Sequence, residues 1–390
     1  MSVKHLARRC LVGAACLLAL GVQAEDLNAV ATPVDLVKRQ AAHEVSQLLN
    51  DPDFAASLAQ RMKVEAKPGQ AKAASLRNVL AQYERVQRFA GKQVVNSQGL
   101  KRLDQEALRH KGLQGYSDGL LQVRLYQPTA STEVSLANTL VAFEPAGDDK
   151  QWKVIEAYDR QGNVHRFDAR SAPNVPVLVA DIDAREDMRA GLKLINQALR
   201  QHGMQTAPGK LAQQARAQAG GYVDTAKLDR ISVKDDQEPW ISGAAEVYAL
   251  VSGVQPDQAK AQIVAVDMPY LDYSGTTYNP NQILIQWADF RYAAANVLFY
   301  EHDDNTNYKD LVLALTSGVE KILGVFKPEF AIIATVANAI VQAMPSHWFA
   351  NDDDYMDAFY TLEKNRTYTD WAGVGGNVVM TLTPYRLNEQ

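Results

Sequence analysis

Apolar positions recur every three to four residues through residues 25–110, a spacing that predicts helices. VDLVKRQAAHEVSQLL (34–49) puts Val34, Leu36 or Val37, Ala41 and Val45 or Leu48 on one stripe. DPDFAASLAQRM (51–62) starts again, with Asp51 as N-cap and Pro52 in the first turn. ASLRNVLAQYERVQRFA (74–90) repeats the amphipathic spacing through Leu76, Val79, Leu80, Tyr83 and Val86. From about residue 119 the period falls to two. LLQVRLYQP, TLVAFEP and the hairpin QWKVIEAYDRQGNVHRFDA then read as strands. VPVLVADID (175–183) reads as a strand buried on both faces, and AREDMRAGLKLINQALRQHGM as a helix stopped by Gly203.

Residues 206–230, rich in Ala, Gln, Gly and Lys, read as a linker. Beyond them, six Val-, Ile-, Tyr- and Phe-rich runs separated by turn residues predict an antiparallel β-sandwich. A helical pair, DLVLALTSGVEKILGVF and PEFAIIATVANAIVQAM, is inserted between its later strands. The expected class is therefore α+β. A helical and mixed N-terminal domain (25–205) precedes a sandwich domain (231–390).

The first residues change where this chain is expected to work. Lys4, Arg8 and Arg9 precede the apolar run CLVGAACLLALGV, and VQA supplies a cleavage site after Ala24, so 1–24 reads as a secretory signal peptide. The protein is expected to be exported, to the periplasm or the extracellular medium. Both cysteines lie inside that signal, leaving the mature chain without a disulfide. Cleavage would take the formal charge from −5 to −8, a balance that argues against a nucleic-acid partner. The run at 330–344 is too short to span a membrane, so no transmembrane helix is expected in the mature chain and a helix covering the sandwich is the economical reading.

Candidate chemistry gathers in FYEHDDNTNYKD (299–310), which packs Glu301, Asp303, Asp304 and Asp310 into one loop. Either the loop is a solvated turn, or a cation holds it together. It is not an EF-hand: counted from Asp303, the sixth position is Tyr308 and the twelfth Ala314, where Gly and Glu are required. The segment QILIQWADFRYAAANVLFYEHDDNTNYKD resembles the C2 domain, a β-sandwich that binds calcium through aspartates on its end loops. Trp287, Phe290, Val297 and Phe299 follow that plan. The resemblance implies a Ca²⁺ site built from Asp267 and Asp272 of AVDMPYLDYSG with Glu301, Asp303 and Asp310, joined by Asp304 or Asn305. Oxygen donors of this kind suit calcium better than zinc. A second acidic run, NDDDYMD (351–357), reads as a solvated helix entrance.

GxSxG, HExxH, P-loop and CxxC patterns are absent from the sequence. Asp181 and Asp183 follow a buried strand, where α/β enzymes place catalytic groups and where aspartates also cap the next helix. Tyr270, Tyr273 and Trp348 are aromatics near loops, suited either to carbohydrate or lipid contact or to packing. The fragments AFEPAGDD…VIEAYDRQGN, PVLVADID and EPWISGAAEVYALVSGV resemble an uncharacterised family of exported bacterial proteins. The expected function is calcium-dependent binding of a protein, glycan or lipid ligand at a cell surface. One alternative is a secreted hydrolase with acidic groups converging near His165 or His202. The other is a membrane-active effector acting through residues 311–344.

Overall fold

The computed structural model describes residues 31–66, 72–92, 97–128, 136, 138–147, 149–206, 217, 221–234, 239–243, 246–256, 260–301, 304–323, 332–343 and 355–388. The expected signal peptide lies outside these residues. The described chain is α+β, with seven α-helices and three sheets.

Four helices open it: α1 (Pro33–Leu48), α2 (Pro52–Glu65), α3 (Leu76–Phe89) and α4 (Gln98–His110). Thr32 and Asp35 form a reciprocal capping box that fixes the start of α1, and the Asp51 side chain caps α2. Val37, not Leu36, faces inward. Between α2 and α3 the chain makes a short edge strand, β1 (Lys72–Ser75), inside the region expected to be helical throughout. KAAS carries no β-branched or aromatic residue, so its strand state comes from pairing with a neighbour and not from local propensity.

The first sheet adds β2 (Leu121–Tyr126), β3 (Leu140–Ala142), β4 (Val154–Tyr158), β5 (Val164–Asp168) and β6 (Val177–Ile182) in the order β1-β2-β6-β3-β4-β5. Its β3–β6 pair is parallel, so both strands end at the same edge. All six residues of β6 are buried. Leu178, Ala180 and Ile182 join the core under the helices, while Val177 and Val179 pack with Ile155, Ala157 and Ile241 on the opposite face. Helix α5 (Ala184–Gln201) leaves β6 directly, capped by Asp183.

Two antiparallel sheets follow. One contains β7 (Tyr222–Val233), β10 (Thr277–Tyr278), β11 (Gln282–Gln286), β14 (Tyr368–Ala372) and β15 (Val378–Asn388). The other is β13 (Tyr355–Glu363), β12 (Ala294–Glu301), β8 (Val247–Val254) and β9 (Ala261–Met268), in that order. They stack over a shared core that includes Leu228, Ile231, Val251, Trp287, Val297, Phe299, Phe359 and Met380. The outer face of the second of these sheets is covered by α7 (Ile332–Ala343) and α5, with α6 (Tyr308–Leu323) packed on both, as Leu250, Leu298 and Tyr300 join the same apolar core as α1–α5. Among the described residues no helix is long and apolar enough to cross a membrane.

Residues 222–230 of the stretch expected to link two domains form most of β7, the twelve-residue central strand of its sheet. Its pairing with β15 shifts between Thr381 and Leu382, opposite Arg230 and Leu228, so Asp229 is the extra residue of a bulge. That break in the two-residue period masks the strand in the sequence.

Gly191 on α5 marks the tightest approach between the halves of the chain. A Cβ there would lie 1.9 Å from Cε1 of Tyr308, whose ring is buried against it. Alanine favours a helix over glycine by about 1 kcal/mol, yet here it would force a packed ring aside. Gly191→Ala is therefore expected to lower unfolding free energy by about 1–3 kcal/mol in urea denaturation. A variant as stable as the wild type would refute this packing.

Candidate functional site

The acidic loop between β12 and α6 is clasped by the protein's own cations. Lys38, on the buried stripe of α1, lies 3.1 Å from Asp304 Oδ2, 2.9 Å from Glu144 Oε2 and 3.7 Å from Asp35 Oδ1. Lys111, just past α4, donates to the Asp304 carbonyl at 2.6 Å and pairs with Asp187 of α5 at 2.6 Å. Both partners of that pair have fully buried side chains. The Thr32 hydroxyl donates to Asn305 Oδ1 at 2.5 Å, Asn307 Nδ2 donates to the His110 carbonyl at 2.7 Å, and the Tyr308 amide donates to the Lys111 carbonyl at 3.1 Å. Asn307 Oδ1 accepts the amides of Lys309 and Asp310, capping α6. The described part of this loop thus ties the third sheet to α1, α4 and α5.

Glu144 stands two residues past the end of β3. Continuing the parallel register that matches Ala142 to Val179 sets it beside Asp181 of β6. Across the sheet, Arg124 pairs with Asp181 at 2.8–2.9 Å and donates to the carbonyls of Ile241 and Ser242. Asp183, by contrast, is the α5 cap, accepting the Glu186 amide at 3.1 Å. Burial raises the Glu144 carboxyl far above the ordinary range, against the pull of Lys38 and with a push from Asp304, to which it is hydrogen-bonded. Burial also raises Asp181, opposed by Arg124 and reinforced by Asp304, to about 7. For Lys38, burial alone would favour the neutral amine, but Glu144, Asp304 and Asp35 together hold it well above its usual value.

These shifts set a sign for pH. A carboxyl raised on folding contributes stability that is complete below its unfolded value, near 4, and lost as pH rises through the folded value. For Asp181 the loss runs from about pH 4 to 7, and for Glu144 it runs in the same direction. Glu144→Gln fixes the protonated shape. Its stability relative to wild type should rise as pH is raised from 5 to 8. Thermal melts of the two proteins across that range measure it, and a pH-independent difference would mean Glu144 titrates normally.

The other residues expected from sequence fall in separate places. Tyr300, Tyr248 and Asp267 are matched across the third sheet, as are Glu301, Val247 and Met268, so Asp267 and Glu301 project from opposite faces. Asp272 makes an ion pair with Arg185 in the first turn of α5, both oxygens at 3.2–3.3 Å. Asp310 is exposed in the first turn of α6. Asp303 lies outside the described residues. Among the described residues no group of three or more His, Cys, Asp and Glu is placed to hold a metal ion. Asp357, expected in a solvated helix entrance, is instead a fully buried residue of β13; Asp352 to Asp354 lie outside the described residues.

Asp267 precedes, and Asp272 lies within, a loop with its own character. Residues 269–281, between β9 and β11, bring together Tyr270, Tyr273 and Tyr278. Tyr273 is 46% exposed, and the other two are half-buried. The Tyr270 and Tyr278 rings are 6.1 Å apart; the Tyr270 hydroxyl donates to Gln282 Oε1 at 2.5 Å, and the Tyr273 amide donates to the Tyr278 hydroxyl at 3.0 Å. Leu271 plugs the core between the two sheets, and Gly275, at φ +66°, donates its amide to the Val233 carbonyl at 2.8 Å. Burial raises the Asp267 and Asp272 carboxyls, while Arg185 opposes the shift. Arg185 and Arg124 both lie within electrostatic reach of Tyr273, so this exposed rim borders the buried charges at the end of β6.

Sequence reasoning found Tyr270, Tyr273 and the acidic loop but missed Lys38, Lys111, Arg124, Glu144 and Tyr278 as members of sites. Lys38 carried a readable signal, because it lies four residues after Val34 and three before Ala41 on the apolar stripe. His165 pairs with Asp159 at 3.0 Å on the exposed β4–β5 hairpin, and His202 ends α5; neither is among the hydrogen-bond or ion-pair partners just described for the buried carboxyls. No curated protein and no solved structure matches the chain. Residues 38–390 match the family described as "Protein of unknown function (DUF3103)", and the chain belongs to that family.

Proposed function

We propose that the protein is an exported bacterial binding protein that engages a cell-surface ligand through the loop 269–281. One observation carries this reading: an anchored loop presents Tyr273, beside Tyr270 and Tyr278, next to the Arg185–Asp272 ion pair. Tyrosine offers a large, stiff, amphipathic surface at a small entropic cost, and the ion pair supplies directional polar contacts. The anchoring of Leu271 and Gly275 in the sheets means that little ordering is left to be done on binding.

The test is co-sedimentation of the mature chain with purified bacterial cell envelope, in EDTA and in millimolar Ca²⁺. The calcium arm is included because two of the acidic residues expected to bind the ion, Asp267 and Asp272, lie at the start of this loop and within it. Wild type should sediment, and Tyr273→Ala should reduce the bound fraction at least about fivefold, since exposed aromatic anchors dominate such contacts. Equal sedimentation of the two proteins, or none of either, would overturn the reading.

A second reading, a secreted hydrolase, is favoured by the carboxyls of Glu144 and Asp181 at the ends of neighbouring parallel strands, where open sheets place ligands. A carboxyl raised by burial, as Glu144 is, is the kind of group a general acid needs. Turnover of chromogenic esters, phosphates or glycosides that disappears in Glu144→Gln would select it over binding alone.

A further inference from the structure

We infer that the ligand of the 269–281 loop is a carbohydrate, held by the tyrosine faces and by the polar groups of Arg185, Asp272 and the neighbouring amides. The inference rests on the binding function proposed above and names its chemistry. A pyranose ring has an apolar face of C–H bonds and a rim of hydroxyls that both donate and accept. Its natural counterpart is an aromatic face beside a fixed set of acceptors and donors. The loop has both within one short span. Tyr273 is exposed, the Tyr270 and Tyr278 rings stand 6.1 Å apart at an angle of 47°, and Asn279 and Asn281 are exposed where the loop enters β11. Asp272 and Arg185 place a carboxylate and a guanidinium at the base.

Two further observations narrow the class. The hydroxyls of Tyr270 and Tyr278 are engaged within the protein, with Gln282 and with the Tyr273 amide, so those two rings are held in place before any ligand arrives. A stable protein partner usually takes about 20–30 residues on each side, roughly twice what this excursion offers. A lipid surface would be met by exposed aliphatic or clustered basic side chains. Leu271, the loop's aliphatic residue, is buried in the core instead, and Arg185 is already paired with Asp272.

Affinity electrophoresis of the full mature chain tests this, with a soluble β-glucan, a mannan, a xylan and glycol chitin cast separately into native gels. Retardation by at least one polysaccharide is expected, weakened at least tenfold in Tyr273→Ala and partly in Tyr278→Phe, which removes the hydroxyl that accepts the Tyr273 amide. Tyr273 is exposed, so its alanine variant should melt with the wild type, and a matched melt confirms that the comparison is fair. Retardation that Tyr273→Ala leaves unchanged would overturn the site. No retardation in any gel, with Tyr273-dependent sedimentation on envelope intact, would overturn the carbohydrate class and leave the binding function standing. Tyr273-dependent flotation with phosphatidylglycerol vesicles in place of retardation would assign a lipid instead. Failure in all three formats would remove both readings.

Discussion

Lys111→Met should lower the unfolding free energy by about 3–5 kcal/mol, the cost of stripping one partner from a buried ion pair. Methionine keeps most of the lysine stem, so the loss is electrostatic more than volumetric. In the wild type the ammonium is fully buried, 2.6 Å from Asp187 Oδ2 and 2.6 Å from the Asp304 carbonyl, and it lies 5.7 Å from the centre of the Tyr308 ring. The variant leaves the Asp187 carboxyl buried without this cation and removes the donor to the Asp304 carbonyl. Asp187→Asn alone should cost a similar amount, because a buried ammonium then lacks its carboxylate. The double variant Lys111→Met/Asp187→Asn should be more stable than the sum of the two losses predicts. The coupling read from equilibrium denaturation should reach about 2–3 kcal/mol. Strict additivity would show that the two side chains act separately and that the loop is not latched through them.

That latch explains how far the sequence could be read. Amphipathic periodicity located α1, α2, α3 and α5, and alternation located most strands, because each signal is contained in about a dozen residues. The acidic loop was equally visible as composition. Its partners were not: Lys38 and Asp304 are 266 positions apart, and no period links them. A lysine on an apolar stripe and a surplus of carboxylates in a distant loop each look like local irregularities. Only the fold reveals that one answers the other. The strand β7 was hidden for a different reason, since the bulge at Asp229 moves the buried set from Leu228 to Ile231 and breaks the alternation. Tyr278 was missed because its strand, β10, is two residues long and has no pattern to show. The tyrosine loop itself was half legible, as aromatic residues among turn formers, but its rigidity depends on Leu271 and on the reach of Gly275 to β7.

Asp357→Asn, on the edge strand β13 of the third sheet, is the sharper test, because it changes one heavy atom. Asp357 has no solvent exposure, and four backbone amides donate to its carboxylate. Ala358 and Gly375 donate to Oδ1 at 2.8 and 2.7 Å, and Asn377 and Val378 donate to Oδ2, each at 2.9 Å. The carboxylate fills the turn between β14 and β15 so fully that a Cβ at Gly373 would lie 2.3 Å from its Cγ. An ionised carboxylate is all acceptor, whereas an amide presents one acceptor oxygen and an NH₂ that only donates. Whichever way the substituted side-chain amide turns, two backbone donors face another donor and lose their bonds to a side chain that has no solvent exposure. At about 1–3 kcal/mol for each buried group left unsatisfied, the expected loss is about 2–5 kcal/mol in equilibrium unfolding. Faster hydrogen exchange should concentrate at Gly375, Asn377 and Val378. Asp357→Ala should cost at least as much, since it removes both oxygens that accept the four bonds and opens a cavity against Gly373. A carboxylate surrounded only by amide donors has no countercharge among those contacts to leave behind. The penalty should therefore persist at high salt, unlike that of an exposed ion pair, which salt screens. If one molar salt erased the difference between Asp357→Asn and wild type, the carboxylate would be working through its net charge and not through the four amides it gathers.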